Sequence, residues 1–180
     1  VVFGRATGRY LVDKGIAKEG FKKVSPDSAD LSLHRLSRMD SAKSGESVQN
    51  VADEIRETTQ KNCGVFRSEE LLSKGVEAIK TLEEKVSCLY FEDKSKIFNT
   101  ARVEALEVEN MIEAAKATII SAEARKESRG AHSHNDHPDR NDETWMKHSL
   151  WFSENDRLDY KPVILKPSSV ESFAPKKRTF

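Results

Sequence analysis

The chain lacks net charge: 30 Lys and Arg offset 30 Asp and Glu along 180 residues. That absence excludes bulk electrostatic attraction to nucleic acid or to an anionic membrane surface, leaving only local patches to consider. No sustained basic face is found, and no nucleic-acid partner is expected. Apolar runs are short as well. None approaches the ~20 residues that a membrane-spanning helix needs. Arg5 and Arg9 interrupt the opening VVFGRATGRYLV too early for a secretory leader, so no direct membrane insertion is expected. Cysteine is scarce, and Cys63 and Cys88 lie in separate segments without a metal-binding spacing. They fit a reducing compartment better than a disulfide scaffold, and both read as core fillers. Neither CxxC nor HExxH occurs, and no GxGxxG follows a strand. An initiating Met is missing too. The chain opens on Val1 inside an apolar stretch with no cap ahead of it, and is expected to be a piece of a longer protein.

What is present is 37% hydrophobic and 33% charged, more polar than a typical domain but long enough to bury one core. Val1, Val2, Ala6, Tyr10 and Leu11 recur at helical spacing, while Gly4 and Gly8 share a face that can approach another backbone closely. This reads as a helix packed on a further domain, not as a cofactor cradle. Lys14 to Lys23 is a basic, glycine-punctuated connector ending at Ser25-Pro26. Asp27 or Ser28 is expected to cap a helix bearing Leu31, Leu33, His34, Leu36 and Met39, with His34 as a packed, hydrogen-bonded side chain. Ser41 to Ser47 is a polar joint.

Three longer helices follow. Val48, Val51 and Ile55 mark the first, which stops near Cys63-Gly64. Ser68 caps the second, with Glu69 and Glu70 in its first turn, and Leu72, Val76, Ile79, Leu82, Val86 and Leu89 recur at alternating steps of three and four. Phe98, Ala101, Ala105, Val108, Ile112, Ala115, Ile119 and Ala122 line the third, which runs to about Arg125 and would be roughly 45 Å long. Narrow stripes joined by short turns predict a mainly α fold built on an antiparallel three-helix bundle.

The stretch Lys126 to Trp145 is irregular, and Gly130 is expected to end the preceding helix. Polar chemistry concentrates there, which marks a docking surface or a site. His132 and His134 share one side of an extended segment, with Asp136, His137 and Asp139 at hand to complete a metal site. Without a metal motif, the stretch reads instead as a hydrated loop whose imidazoles titrate near neutral pH, and no metal is expected. Arg129 and Arg140 make a better case, because a guanidinium can bridge carboxylates bidentately and pin the loop to a neighbouring domain. A purely intramolecular salt bridge is an equal alternative for Arg129. Arg129, His132 and Arg140 are therefore the candidate docking residues. Beyond Trp145, Ser149 to Phe152 and Leu158 to Leu165 flank Ser153 to Arg157 as a short β-hairpin, with Pro162 at an edge or ending the pairing. The expected divisions are 1–25 for a residual helix and connector, 26–128 for the bundle, and 129–180 for the loop, hairpin and extended tail.

The runs Glu127-Ser128-Arg129-Gly130-Ala131-His132, Pro138-Asp139-Arg140-Asn141-Asp142-Glu143 and Lys147-His148-Ser149-Leu150 closely resemble the C-terminal part of the succinate dehydrogenase and fumarate reductase flavoproteins. The opening VVFGRATG resembles the helix that follows that family's flavin-contacting stretch, which is itself missing here. Pro175-Lys176-Lys177-Arg178-Thr179-Phe180 is similar to the succinate dehydrogenase ending. The resemblance implies a spectrin-repeat-like bundle appended to a flavin-binding domain. It further implies a parent enzyme that oxidises succinate to fumarate, passes hydride to covalently held FAD and sends electrons through an iron-sulfur subunit to quinone. The family's flavin-linking and substrate residues lie upstream of Val1, so no catalytic, cofactor-binding or metal residue is assigned to this chain, and no FAD is expected on it alone. The implied partners are the flavin-binding domain and the iron-sulfur subunit. The implied location is peripheral, on the cytoplasmic side of a bacterial inner membrane or the matrix side of a mitochondrial one. The same region of a fumarate reductase or L-aspartate oxidase, or a free-standing helical interaction module, are the alternatives.

Overall fold

The computed structural model describes residues 1–20 and 22–176, and the chain divides into two units, Val1–Arg38 and Met39–Phe180. The first holds α1 (Val2–Asp13), a 3₁₀ turn at Ile16–Lys18 and most of α2 (Asp30–Ser41). No side chain caps α1, and none of its residues is buried. Val2, Phe3, Tyr10 and Val12 are exposed. Gly15 adopts φ 67°, a left-handed turn that breaks the chain direction after α1. Two expectations are corrected in α2. Ser28 donates its hydroxyl to the Ser25 carbonyl instead of capping, so the helix starts at Asp30. His34 is exposed, beside exposed Leu31 and Leu33, because the apolar positions of this helix do not fall into one stripe.

The second unit is built on α3 (Val48–Asn62), α4 (Glu69–Ser87) and α5 (Thr100–Ala124). Each start carries the cap that its sequence supplies: Ser47 accepts from the Asn50 amide, Ser68 from Leu71 and Asn99 from Arg102. Apolar residues three and four apart then face inward, so Val51 and Ile55, Leu72, Ile79 and Leu82, and Val108, Ile112 and Ile119 fill one core. Burying a side chain such as Ile79 contributes about 1.5–3 kcal/mol. Gly75 lies where α4 crosses α3; a Cβ there would stand 2.9 Å from the Asn62 Cβ and 3.3 Å from the Ile119 Cγ2. Cys63 is buried, as expected, but Cys88 is exposed at the end of α4.

Two short parallel pairs fasten the ends of this antiparallel three-helix bundle. β1 (Glu46–Ser47) pairs with β3 (Leu89–Tyr90), which brings the start of α3 to the end of α4. β2 (Phe66–Arg67) pairs with β4 (Ser133–His134), which brings the start of α4 to the chain beyond α5. Beside the first pair, buried Met39 accepts from Lys94 through its carbonyl at 2.9 Å, and Arg102 meets Asp40 at 2.9 Å. Phe98 is not on α5 as expected. It takes φ 51° and is exposed, and the helix begins only after Asn99 closes the turn by donating to the Asp93 and Ser95 carbonyls.

The expected hairpin forms from β5 (Lys147–Phe152) and β6 (Arg157–Pro162), antiparallel from Phe152 opposite Arg157 to Lys147 opposite Pro162. Alternation turns Lys147, Ser149 and Trp151 inward and leaves His148, Leu150 and Phe152 outside. Its turn residue Asp156 takes φ 51° and reaches Lys116 of α5 at 2.7 Å. Lys116 is buried, and also meets Glu83 of α4 at 2.5 Å. Burial alone would push its ammonium down, but the hydrogen bonds to Asp156 and Glu83 outweigh that and push it up. One lysine thus joins hairpin, α4 and α5. Residues 163–176 carry no helix or strand, and the last four residues of the expected tail motif, 177–180, lie outside the described residues.

Candidate functional site

α5 ends at Ala124, where Arg125 turns to an extended conformation. The chain then runs through an irregular loop to α6 (Asp142–Trp145) and into the hairpin. Gly130 does not end the helix as expected. It adopts φ 59° within a tight turn in which the Arg129 and His132 amides donate to each other's carbonyls at 2.9 and 3.0 Å. A side chain at that φ would be strained.

Glu127 is the centre of the loop. Its residue is fully buried, and its carboxylate accepts from Arg125 (2.8 Å), from two nitrogens of Arg129 (2.7 and 3.1 Å) and from the Asn141 amide (2.8 Å). Burial alone would raise this carboxyl, but the bonds from Arg129, the Asn141 amide and Arg125 win and hold it low. Arg125 also donates to the carbonyls of Trp145 and Lys147 and to the Ser149 hydroxyl, so it clamps the end of α5 to the start of the hairpin. Ser128 closes the loop on itself: its hydroxyl accepts from the His134 amide at 2.8 Å and donates to the His137 carbonyl at 2.8 Å.

The three expected docking residues are brought to this loop, each with intramolecular partners. Arg129 joins Glu127 to Asp142, which it meets at 2.6 Å, and its guanidinium is raised chiefly by the Glu127 bond. Arg140 grips Asp142 through two bonds of 2.6 and 2.7 Å and donates to the Lys176 carbonyl at 2.7 Å, tying the tail to the loop. The two guanidiniums, Arg140 first, hold the Asp142 carboxyl down at about 2. His132 is half-buried between Arg67 and the Arg125 carbonyl. Asp136 caps α4 by accepting from the Glu69 amide at 2.8 Å, and His137 Nε2 lies 2.8 Å from the Glu69 carboxylate. Among the described residues no group of three or more His, Cys, Asp or Glu side chains is arranged to hold a metal ion. The described helices include none long and apolar enough to cross a membrane.

Sequence reasoning missed Arg125 and Glu127 as the organisers of the loop. A signal was available: arginines at Arg125 and Arg129 flank Glu127 two residues away on either side, which puts all three on one side of an extended segment.

The chain is similar to known proteins in sequence and in fold. Residues 52–180 match the family described as "Fumarate reductase flavoprotein C-term". The chain is 37% identical to the succinate dehydrogenase flavoprotein subunit of Coxiella burnetii over 99% of its own length and 30% of that subunit. It is 36% identical to the mitochondrial succinate dehydrogenase [ubiquinone] flavoprotein subunit of rice, over 100% of this chain and 29% of that one. Its fold is similar to that of E. coli quinol fumarate reductase, with a TM-score of 0.81 and 28% identity over 97% of this chain and 30% of the other. The chain therefore spans about a third of the length of the relatives it matches.

Proposed function

The chain belongs to the succinate dehydrogenase and fumarate reductase flavoprotein family, as its C-terminal part, and from that premise we propose that it is the docking region of a succinate dehydrogenase flavoprotein. The parent oxidises succinate to fumarate on FAD bound by residues upstream of Val1, and its electrons leave through an iron-sulfur subunit towards quinone. In this reading residues 1–25 are a helix and connector of the flavin-binding domain, 26–128 the supporting bundle, and 129–180 the contact segment. The whole is held peripherally, on the cytoplasmic or matrix side of its membrane. Succinate dehydrogenase is preferred over fumarate reductase because identity is 35–37% to flavoprotein subunits of the former and 30–33% to those of the latter.

The observation that carries the docking role is that Glu127 and Asp142 fix Arg129 and Arg140 internally while Arg140 also secures the tail at Lys176. A loop whose charges are already matched offers a partner a fixed surface, so less ordering cost is met on association. Arg129 and His132 act by setting the loop's shape, and Arg140 by joining loop and tail. Arg140 is the cleanest probe, since its partner Asp142 is exposed and an exposed pair contributes little to folding. Arg140→Ala in the full-length subunit is expected to lower retention of the iron-sulfur subunit during purification while bound flavin is kept. Retention equal to the unaltered subunit would defeat the docking assignment.

A further inference from the structure

Three imidazoles meet edge to face in the loop, His132 and His134 with ring centres 5.8 Å apart, His134 and His137 with centres 4.7 Å apart. The first two are built for the neutral state. His132 Nδ1 stands 2.7 Å from an Arg67 guanidinium nitrogen, and Nε2 stands 3.1 Å from the Arg125 carbonyl. A guanidinium only donates, so Nδ1 must be bare and accept, and Nε2 must carry the proton that is donated to the carbonyl. A second proton would set donor against donor at 2.7 Å and lodge a cation beside Arg67 and Arg125. His134 is 1% exposed and neither of its ring nitrogens has a hydrogen-bond partner; the nearest carboxylate oxygen, of Asp136, is 3.9 Å from Nδ1. Charging it would leave an ion buried without a bonded partner.

The segment that holds these rings is fastened to the start of α4 by polar contacts: the β2–β4 pair, the Asn135 amide donating to the Arg67 carbonyl at 2.7 Å, Asp136 on the Glu69 amide, Arg67 on His132, and Lys126 and His137 on the Glu69 carboxylate at 3.5 and 2.8 Å. We propose that His132 and His134 form a pH-sensitive latch that fastens residues 126–141 to the start of α4 while both rings are neutral, and releases them when the rings are protonated. Every element packed on the rings bears on the balance. The bond to the Arg125 carbonyl favours a charged His132, while Arg67 from β2, His134 and the Arg125 guanidinium at the end of α5 oppose it. Lys126 and His137 oppose a charged His134, while Asp136 and Glu69 favour it. Burial is the largest influence on both and pushes both below the ordinary value of 6.5. The sign follows: the released loop binds protons more readily than the fastened one, so fastening is complete above about 6.5 and is lost as pH falls through the depressed values.

The test is amide hydrogen exchange on the 180-residue chain between pH 7.5 and 5. The protection factor of the Asn135 amide, relative to the centre of α5, should fall below 6.5 by up to about tenfold per pH unit for each ring that takes up a proton, so by up to about a hundredfold where both do. Protection that falls only below pH 4.5 would overturn the latch, because carboxylates would then be responsible. His132→Asn, whose amide can both accept from Arg67 and donate, combined with His134→Leu, should flatten the profile. A doubly substituted chain that still loses Asn135 protection near pH 6 would also overturn it, and the unaltered chain's own profile decides the matter if the variant does not fold.

Discussion

The three-helix body and the loop that closes its end are stabilised by opposite physics. The body is a stripe-against-stripe contact of Leu72, Ile79, Ile112, Ile119 and their neighbours, with few buried polar residues, among them Asn62, Asn99 and Lys116. The loop buries hardly any aliphatic side chain and is instead wound round one carboxylate, Glu127, that collects two arginines and a backbone amide. Apolar burial is tolerant of detail and insensitive to pH. A buried ion pair is the reverse, because breaking it leaves an uncompensated charge. The same fold therefore joins a part that sets overall stability to a part that fixes one surface shape.

Glu127→Ala should give the largest effect and separate the two. Removing the acceptor takes from Arg125 and Arg129 the buried partner that they share, at a cost of about 3–5 kcal/mol. Exchange protection is expected to vanish across 126–142 while the helical circular dichroism of the body persists. A single cooperative loss of both would mean that loop and body are one unit. Gly75→Ala attacks the other side. Its Cβ would press on Asn62 and Ile119, costing about 1–3 kcal/mol by overpacking. Here the whole unit should melt earlier in a thermal scan, loop included, and an unchanged midpoint would show that α3 and α4 part easily. Ser68→Ala probes the joint, where Ser68 from the body caps the Leu71 amide and Asp136 from the loop caps the Glu69 amide in the first turn of α4. The loss should be about 1 kcal/mol or less, read from urea midpoints, because one of the two caps survives. A larger loss would assign the capping of α4 to the body alone.

The body was the legible part. Ser68 with Glu69 and Glu70, and the stripe from Leu72 to Val86, identified α4 from spacing and capping, because each signal is local and periodic; Leu89, the next step of that stripe, lies past the helix end in β3. Phe98 misled for the same reason: it extends the α5 spacing by one step, yet its left-handed backbone precedes the cap at Asn99. Lys116 was invisible as a core residue, since its partners Glu83 and Asp156 come from distant segments. Gly130 was recognised as a special backbone position but attached to the wrong event, a helix end instead of a loop turn. In the loop, residue types pointed to a site, but the pairing of Arg129 with Glu127 and Asp142 depends on how the chain folds back between them. His132 and Arg67 stand far apart in sequence and meet only through the β2–β4 pair.

That pair and its counterpart, β1 with β3, are interleaved along the chain: Glu46, Phe66, Leu89 and Ser133 come in that order, and the first meets the third while the second meets the fourth. A protease that cuts between α3 and α4 leaves the β1–β3 link spanning the cut, and one that cuts between α4 and α5 leaves β2–β4 spanning it. Neither connection can be opened without a backbone bridge still holding the two pieces together, so a nicked bundle should keep its shape.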